Sequence, residues 1–552
     1  MDIEDLKTLL NSDTVFAENT LISPEILQKI DNLLEISIKK ISNETFGIYK
    51  KFVVMKQNAP EGMKLELFKV IKNYQREKFQ QKEFADALLM NRFLIVKSKL
   101  LPQNYCDIAD ILFNMGQTDL SKSFLDFYQK TESNLPLKLL TVANFYNLNL
   151  KDYITAIKYY EQYLQIEETK PVIFTTLGNL YKKAYGDKSL KEQIYYFERA
   201  YQLNPKDRLT LHSLAFDYEK VNDKINADKY YKELLNNNPT EIDYYNYGGF
   251  LISCGDLYNG HKYLTHRFLI DDVNLKYPEN LDIKKKWNFK DNISDKILLV
   301  HYEQGFGDTF MYCRFVPMLK NLCKKVIFVV QDEVIDLIKN SPLITKDCEV
   351  ISSKSNIQNI EYDYNIALMD LPYILKTTVE TIPYPQGYLE IEDKKIQEYK
   401  RKNIKESNNL KVGIAYKGNK KANYNGRDID FKKFSKMLDL TGFDFYSFNM
   451  ENENDIRIKN LSQTFRNFSD TACAIKNMDI IISTDNVILN LSGALGTETI
   501  GLFNKYPNFR WYKLSGNDVG YYKSVTPLQV EQENSWAKVI SQTMNILKEK
   551  IL

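Results

Sequence analysis

The sequence predicts an α-helical solenoid followed by α/β structure, and three features of the 552-residue chain support this fold class. Residues 101–275 carry apolar and aromatic side chains that recur with a period of about 34 residues. Residues 285–385 and 386–552 instead alternate short apolar runs with helical stretches, which is typical of two successive α/β lobes. Residues 1–100 are predicted to form a helical N-terminal region, because residues 65–100 contain neither Gly nor Pro.

The repeats show small and aromatic residues at fixed positions. The clearest copy contains, in chain order, Phe174, Leu177, Gly178, Tyr181, Phe197, Ala200 and Pro205. The next copy ends at Pro239, which lies one period beyond Pro205 (239 − 205 = 34). Small residues such as Gly178 let two helices approach closely, and each unit is too thin to bury its own apolar face, so the units must stack. This pattern is that of tetratricopeptide repeats, and the alternative is an irregular helical bundle.

Each α/β lobe is predicted from short apolar runs that indicate buried parallel strands. In the first lobe these runs are Ile297–Val300, Val326–Val330, Val350–Ser352 and Tyr364–Leu368. In the second lobe they are Val412–Tyr416, Phe443–Phe448, Asp479–Ser483 and Thr499–Phe503. We expect a charged helix near residues 393–405 to link the lobes and a last amphipathic helix near residues 536–551.

Composition argues against several classes of protein. The 74 Lys and Arg residues nearly balance the 72 Asp and Glu residues, so neither nucleic acid nor a membrane surface is indicated as a main partner. The six cysteines form no Cys-x-x-Cys pair, which favours neither a disulfide framework nor a zinc site. The acidic start Met1–Asp5 is unlike a secretory signal, and no apolar run is long enough to cross a bilayer. We therefore expect a cytoplasmic protein.

The first candidate site is the turn that follows the strand Ile297–Val300. Gly305, Gly307 and Asp308 lie in this turn, directly before a run of apolar residues at helical spacing. Glycine has no Cβ and accepts positive φ, so backbone N–H groups in such a turn can approach a ligand closely. A helix start adds unpaired N–H donors and a partial positive charge. The alternative is a tight strand–helix turn in which Asp308 only caps the helix.

The second candidate site is formed by two stretches of the second lobe. After the strand Val412–Tyr416 comes a glycine turn with Lys417, and Arg427 follows it; both cations are able to neutralise a diphosphate. The polar loop Ser483–Asn486 connects a buried strand to a helix, where ligands of open α/β sheets and phosphate groups bind. The alternatives are solvated loop charges in the first stretch and simple helix capping in the second.

Histidine usage constrains the chemistry further. The four histidines are His212, His261, His266 and His301, so the second lobe has none and cannot supply the histidine of a serine-hydrolase triad. The acidic pair Asp428 and Asp430 is interpreted as a helix start rather than a metal site. No metal ion is therefore predicted.

These stretches resemble a known family. Residues 287–309, the loop 483–496 and the segments Asn508–Trp511 and Tyr521–Tyr522 resemble heptosyltransferase-like glycosyltransferases, which in bacteria often follow tetratricopeptide repeats. The resemblance implies two Rossmann-like lobes in a GT-B arrangement, with a nucleotide-diphosphate sugar as donor substrate and neither metal nor cofactor. It also implies that Asp308 is the catalytic base. In this family His stands where this chain has Asn490.

The resemblance assigns further residues to the nucleotide sugar. They are Gly305, Gly307, Tyr416, Lys417, Asn419, Arg427, Thr484, Asp485, Asn486 and Asn490. The predicted function is transfer of a sugar to a protein or peptide acceptor held in the repeat groove, that is, protein glycosylation. The alternative is an inactive glycosyltransferase-like scaffold that binds other proteins. A nucleotide-dependent oxidoreductase is disfavoured, because the turn at Gly305 lacks the third glycine of that fingerprint.

Overall fold

The structure, a computed structural model, describes residues 3–11, 22–58, 61–97, 102–131, 134–270, 281–418, 426–451, 454–514 and 516–551. The chain divides into two compact units, Met1–Asp217 and Tyr218–Leu552. The division falls inside one helix of the repeats, and each unit is described by itself below. Among the described residues, no helix is both long and apolar enough to cross a membrane.

The first unit is built from helices. They are α1 (Ile3–Asn11), α2 (Pro24–Ile36), α3 (Asn43–Asn58), α4 (Glu61–Gln80), α5 (Phe84–Lys97), α6 (Pro102–Asn114), α7 (Thr118–Lys130), α8 (Leu135–Leu148), α9 (Tyr153–Leu164), α10 (Pro171–Tyr185), α11 (Leu190–Leu203) and α12 (Arg208–Lys220), which crosses into the second unit. Helices α6 and α7, α8 and α9, and α10 and α11 pack against each other in pairs. In the pair α10–α11, a Cβ added to Gly178 would lie 2.6 Å from the ring of Phe197, so only glycine permits this approach.

The second unit begins with three further repeat helices, α13 (Lys224–Leu235), α14 (Glu241–Ser253) and α15 (Leu257–Leu264). Asp223 and Asp256 cap the first turns of α13 and α15 through their side-chain oxygens. In the hairpin α14–α15, a Cβ added to Gly248 would lie 2.8 Å from the carbonyl oxygen of Gly260. The predicted solenoid of helical hairpins with small residues at the contact points is therefore confirmed.

A four-stranded parallel sheet follows, and we call the part built on it, residues 297–374, the front lobe. Its strands are β1 (Ile297–His301), β2 (Lys325–Val330), β3 (Cys348–Ser352) and β4 (Tyr364–Ala367), in the spatial order β3-β2-β1-β4. Its helices are α16 (Phe306–Tyr312), α17 (Ile335–Lys339), α18 (Pro342–Thr345) and α19 (Leu371–Ile374). The strand order reverses between β1 and β4, which makes their carboxyl ends the switch point of this sheet.

A six-stranded parallel sheet forms the rear lobe, residues 393–549. Its strands are β5 (Leu410–Ala415), β6 (Phe443–Ser447), β7 (Ile458–Asn460), β8 (Ile480–Thr484), β9 (Thr499–Phe503) and β10 (Val525–Gln529), in the order β10-β9-β8-β5-β6-β7. Its helices are α20 (Asp393–Asn403), α21 (Phe431–Phe434), α22 (Phe468–Lys476), α23 (Val487–Ala494) and α24 (Ala537–Glu549). The switch point lies between β5 and β8. The α-solenoid followed by two Rossmann-like lobes is thus confirmed.

One apolar core joins the hairpin α14–α15 to both lobes. It contains Leu257 and Leu264 of the hairpin, Val300 and Phe310 of the front lobe, and residues of the rear lobe such as Leu491. A separate core, which includes Ile414 and Trp536, lies within the rear lobe. The hairpin and the two lobes are therefore packed as one body.

Candidate functional site

A cleft of about 1050 Å³ lies between the two lobes. Its lining includes, from the front lobe, Gln304, Gly305, Gly307 and Asp308, and from the rear lobe, Lys417, Gly418, Arg427, Asp485, Asn486, Asn490 and Arg510. The front-lobe residues follow β1, and several rear-lobe residues follow β5 and β8. The cleft is thus bordered by residues that follow strands at both switch points, where open α/β sheets bind ligands.

Asp308 bonds its own turn with one carboxylate oxygen and contacts the rear lobe with the other. Its Oδ2 accepts a hydrogen bond from the N–H of Gly305 at 3.2 Å, and its Oδ1 lies 2.7 Å from Nε of Arg510. Asp308 is the third residue of α16, whose N-cap is Gly305, so it caps the helix from inside the first turn. Burial raises the pKa of Asp308 above its ordinary value, although Arg510 and the Gly305 N–H oppose this rise. Asp308 therefore has one oxygen used for capping and one that faces the cleft cation.

Arg510 is the partner of Asp308 and is absent from the predicted site residues. It lies between β9 and β10, and its Nη2 donates to Oε1 of Gln304 at 2.6 Å. Its Nη1 donates to Oδ1 of Asn508 at 2.8 Å. Burial alone lowers the pKa of Arg510, but Asp308 and neighbouring groups outweigh this, so the guanidinium stays charged. The only sequence signal for Arg510 was its place in the segment Asn508–Trp511.

The two glycines of the turn after β1 do not have the expected backbone conformation. Neither Gly305, with φ of −89°, nor Gly307 has the positive φ that was expected; the left-handed residue is Gln304, at φ 57°. A Cβ on Gly307 would lie 3.1 Å from Nδ2 of Asn490 on the rear lobe. Gly307 is therefore small because two lobes meet at this point, and not because its backbone requires glycine.

The two predicted cations of the rear lobe both line the cleft. Nζ of Lys417 lies 3.3 Å from Oε2 of Glu451, and Nη1 of Arg427 donates to the carbonyl oxygen of Asp485 at 3.2 Å. The guanidinium of Arg427 packs on Gly418, where an added Cβ would lie 2.6 Å from it. Arg427 is thus held in the structure rather than solvated in a loop. Asn419 lies outside the described residues.

Two predicted residues have side chains that do not line the cleft. The buried ring of Tyr416 stacks on Phe434 with ring centroids 4.4 Å apart, inside the core of the rear lobe. The buried Thr484 directs its hydroxyl to the carbonyl oxygen of Ala415 at 3.4 Å. Both side chains pack in the interior next to the strand ends and not in the cleft, because inward and outward positions alternate along a strand.

Asn486 and Asn490 use their side chains for internal hydrogen bonds. Oδ1 of Asn486 accepts from the N–H of Ile488 at 2.8 Å and caps α23, while its Nδ2 donates to the carbonyl oxygen of Ala415 at 3.1 Å. Asn486 therefore ties β5 to β8 at the switch point. Oδ1 of Asn490 accepts from the Tyr522 hydroxyl at 3.1 Å, and its Nδ2 donates to the carbonyl oxygen of Asn486 at 3.3 Å.

Asp485 is one of the rear-lobe carboxylates that line the cleft. Burial raises its pKa, while a hydrogen bond from Trp511 and the charge of Arg427 lower it to a smaller extent. Among the described residues, the cleft lining contains five carboxylates, Asp308, Glu333, Asp428, Glu451 and Asp485, and four cations, Lys417, Arg427, Arg466 and Arg510. The rear-lobe cations can contact an anionic group of a ligand, and Asp308 of the front lobe can accept a proton. Within the described residues, no group of three or more His, Cys, Asp or Glu is arranged to hold a metal ion.

Comparisons with known proteins give structural neighbours but no sequence family. No family model matches the chain, and no curated protein matches it. Among solved structures, it is similar to a family 9 glycosyltransferase from Veillonella parvula, with 11% identity, 46% of this chain and 90% of that chain covered, and a TM-score of 0.33. It is also similar to ADP-heptose lipopolysaccharide heptosyltransferase II of E. coli, with 10% identity, 46% and 100% covered, and a TM-score of 0.34.

Other structural neighbours are of a different kind. One is the C-terminal part of a TPR repeat-containing protein from Cytophaga hutchinsonii, with 15% identity, 45% of this chain and 96% of that chain covered, and a TM-score of 0.32. At these scores the likenesses carry no weight for activity, donor or acceptor.

Proposed function

We propose that this protein is a metal-independent glycosyltransferase that moves a sugar from a nucleotide-diphosphate donor to an acceptor hydroxyl. The observation that carries the proposal is the placement of Asp308 of the front lobe across one cleft from Lys417 and Arg427 of the rear lobe. A sugar transferase needs a proton acceptor for the attacking hydroxyl and positive charge near the leaving diphosphate. These two groups belong on opposite sides of the anomeric carbon. This cleft supplies both kinds of group.

The roles follow from the chemistry of each group. The acceptor hydroxyl gives its proton to Asp308 as its oxygen attacks the anomeric carbon of the sugar. The bond from that carbon to the diphosphate breaks, and the electron pair stays on the leaving oxygen. Lys417 and Arg427 neutralise the charge that develops there, and the N-terminus of α23 adds partial positive charge. The raised pKa of Asp308 makes it a better proton acceptor than a solvated carboxylate.

The acceptor is proposed to be a protein or peptide bound by the tetratricopeptide repeats. Stacked helical repeats form concave surfaces that bind extended peptides. The last repeat hairpin belongs to the same compact unit as the cleft, and Tyr245 of α14 lines the cleft. A chain held by this hairpin would therefore lie near Asp308.

A binding scaffold without turnover is the second candidate. It is favoured by Asn490, whose side chain is hydrogen-bonded to Tyr522 and to the backbone of Asn486 at a position where similar enzymes have His. In this alternative the cleft would keep its shape but lack a donor.

A nucleotide panel separates the two candidates. The midpoint of thermal unfolding is measured for the full chain with nucleoside diphosphates and their sugar conjugates, because a ligand that binds only the folded state raises it. The transferase predicts a higher midpoint with at least one nucleotide, and this increase should be lost in Arg427→Met. A flat response to the whole panel would favour the scaffold.

Sugar transfer is then tested by mass spectrometry of candidate protein acceptors co-expressed with the wild type and with Asp308→Ala. We expect a hexose or heptose mass increment with the wild type alone. Equal modification by both proteins would remove Asp308 from the mechanism.

A further inference from the structure

The last repeat hairpin contacts the turn that carries Asp308 through a buried arginine. Arg267 follows α15 and is completely buried. Its Nε and Nη2 donate to the two carboxylate oxygens of Glu303 at 2.7 and 2.5 Å. Its Nη1 donates to Asp370 at 2.5 Å and to the carbonyl oxygen of Leu264 at 2.8 Å. One side chain thus joins the end of the hairpin to the residues that follow β1 and β4.

Glu303 transmits this contact to the turn. It lies two residues before Gly305, and its Oε1 also accepts from the N–H of Met369 at 3.0 Å. The next residue, Gln304, has the left-handed φ of 57°, a conformation that costs free energy for a residue with a Cβ. Such a turn persists only where neighbours hold it; Arg267 holds it through Glu303, and Arg510 through its hydrogen bond to Gln304.

The same hairpin also contacts the other half of the Asp308–Arg510 ion pair. A Cβ added to Gly249 of α14 would lie 3.3 Å from the ring of Phe509. The ring of Tyr245 meets the ring of Phe509 edge to face, with centroids 6.1 Å apart. Since Phe509 immediately precedes Arg510, the hairpin supports the loop that carries the cation as well as the turn that carries the carboxylate.

We infer that the hairpin α14–α15 maintains the geometry of the cleft and that Arg267 is a positioning residue for Asp308. The inference rests on the proposed function for its kinetic consequence, but the positioning itself concerns only the conformation of the turn. Arg267 touches no reacting atom; it acts by keeping Glu303 and Gln304 in place, so that Asp308 faces the cleft. Loss of this support should lower turnover more than it lowers affinity for the donor, whose nucleotide contacts lie on the rear lobe.

The test replaces Arg267 by lysine, which keeps the charge but cannot form the two parallel bonds to Glu303. The matched control is Arg92→Lys in the first unit, because Arg92 is equally buried and bonds both oxygens of Asp31 at 2.6 and 3.1 Å. Both variants are compared with the wild type by hydrogen exchange of the amides of residues 303–310, by global unfolding, and by kcat and KM at equal folded fraction.

We expect faster exchange at residues 303–310 in Arg267→Lys alone. In that variant kcat should fall on the order of 10²-fold, since small misplacement of a catalytic group has effects of this size, with the donor KM nearly unchanged. If Arg267→Lys does not fold, Gly249→Ala is the second variant. Its added Cβ would press on the ring of Phe509, next to Arg510, and should lower kcat in the same manner.

Equal exchange at residues 303–310 and equal kcat in the Arg267 and Arg92 variants would overturn the inference, because Arg267 would then be a structural residue only. A wild type that transfers no sugar contradicts the proposed function; the exchange comparison then decides the positioning role by itself.

Discussion

The front and rear lobes use the same sheet topology in opposite ways. In the front lobe, the ends of β1 and β4 carry Glu303 and Asp370, and the guanidinium of Arg267 occupies the space between them. In the rear lobe, Asn486 ties the ends of β5 and β8 together, while Lys417, Arg427 and Asp485 remain open to the cleft. One switch point is filled by the protein itself, and the other is available to a ligand.

This difference gives the two lobes separate roles in the proposed reaction. Since the front switch point is filled by Arg267 and its two carboxylate partners, the proposed place of a nucleotide diphosphate is the rear lobe. The front lobe contributes the carboxylate of Asp308 instead. Variants of the front lobe should therefore change rate and acid stability, whereas variants of the rear lobe should change nucleotide affinity.

The largest expected effect is that of Asp308→Asn. Removal of a general base lowers kcat by about 10² to 10⁴-fold, and the amide still accepts from the Gly305 N–H to keep the helix cap. Affinity for the nucleoside diphosphate, measured by calorimetry, should stay within about 2-fold, because its proposed contacts are on the other lobe. Asp295→Asn, at an exposed carboxylate outside the cleft lining, is the control. A large loss of nucleotide affinity in Asp308→Asn would contradict the division of roles.

Acid should destabilise the region around the switch point that Arg267 fills. Burial lowers the pKa of His261 to about 3 and that of His301 to about 4, and both histidines lie close to the filled switch point. The unfolded chain binds these protons near pH 6.5, so stability is full above that pH and is lost as the pH falls towards 4. Each histidine then removes roughly 3 kcal/mol from the free energy of unfolding.

Urea unfolding as a function of pH measures this loss. His261→Phe should flatten the dependence between pH 6.5 and 4, because the phenylalanine ring takes up no proton when the chain unfolds. An unfolding free energy that stays constant over this range in the wild type would show that the buried histidines do not control acid stability.

Arg427→Met tests the open switch point. The loss of one charge-assisted contact to a diphosphate should raise the Kd for the nucleotide by about 10 to 100-fold. Arg457→Met is the control, because Arg457 pairs with Asp439 and Asp455 and is not among the residues that line the cleft. If both variants bind the nucleotide equally well, the diphosphate does not contact Arg427.

Arg510→Met should have a smaller effect, on pH dependence. Asp308 must be deprotonated to accept a proton, so kcat/KM falls below the pKa of this carboxyl. Arg510 lowers that pKa, and without its charge the acid limb of the kcat/KM profile should move to higher pH. If the acid limb moves to lower pH or does not move, a group other than Asp308 controls the fall of kcat/KM at low pH.

The strands were largely predictable because they are buried. Each predicted apolar run matches a strand within two residues at either end, for example Val326–Val330 against β2. The two strands that were missed, β7 and β10, lie at the edges of the rear sheet. An edge strand needs no continuous apolar run, and Pro527 interrupts β10 at a position where only an edge tolerates it.

The site was less predictable than the fold. Lys417 and Asp485 directly follow apolar runs, and polar residues at such places lie at strand ends. Asp308 and Arg427, farther from the strands, were indicated by the glycine turn, by charge and by the family resemblance. The sequence could not show that Asn486 is engaged with Ala415, because that bond joins strands 71 positions apart. The partnership of Asp308 with Arg510 depends likewise on how the lobes meet.

The buried salt bridge of Arg267 also limits how the two halves of this chain can be recombined. A fragment that starts at residue 285 would keep Glu303 and Asp370 but lose the only cation that both bond among the described residues. Loss of one partner from such a pair costs about 3 to 5 kcal/mol, a large share of the stability of an ordinary domain. A shuffled or shortened version of this gene must therefore carry its last hairpin along with its sheets, whatever becomes of the earlier repeats.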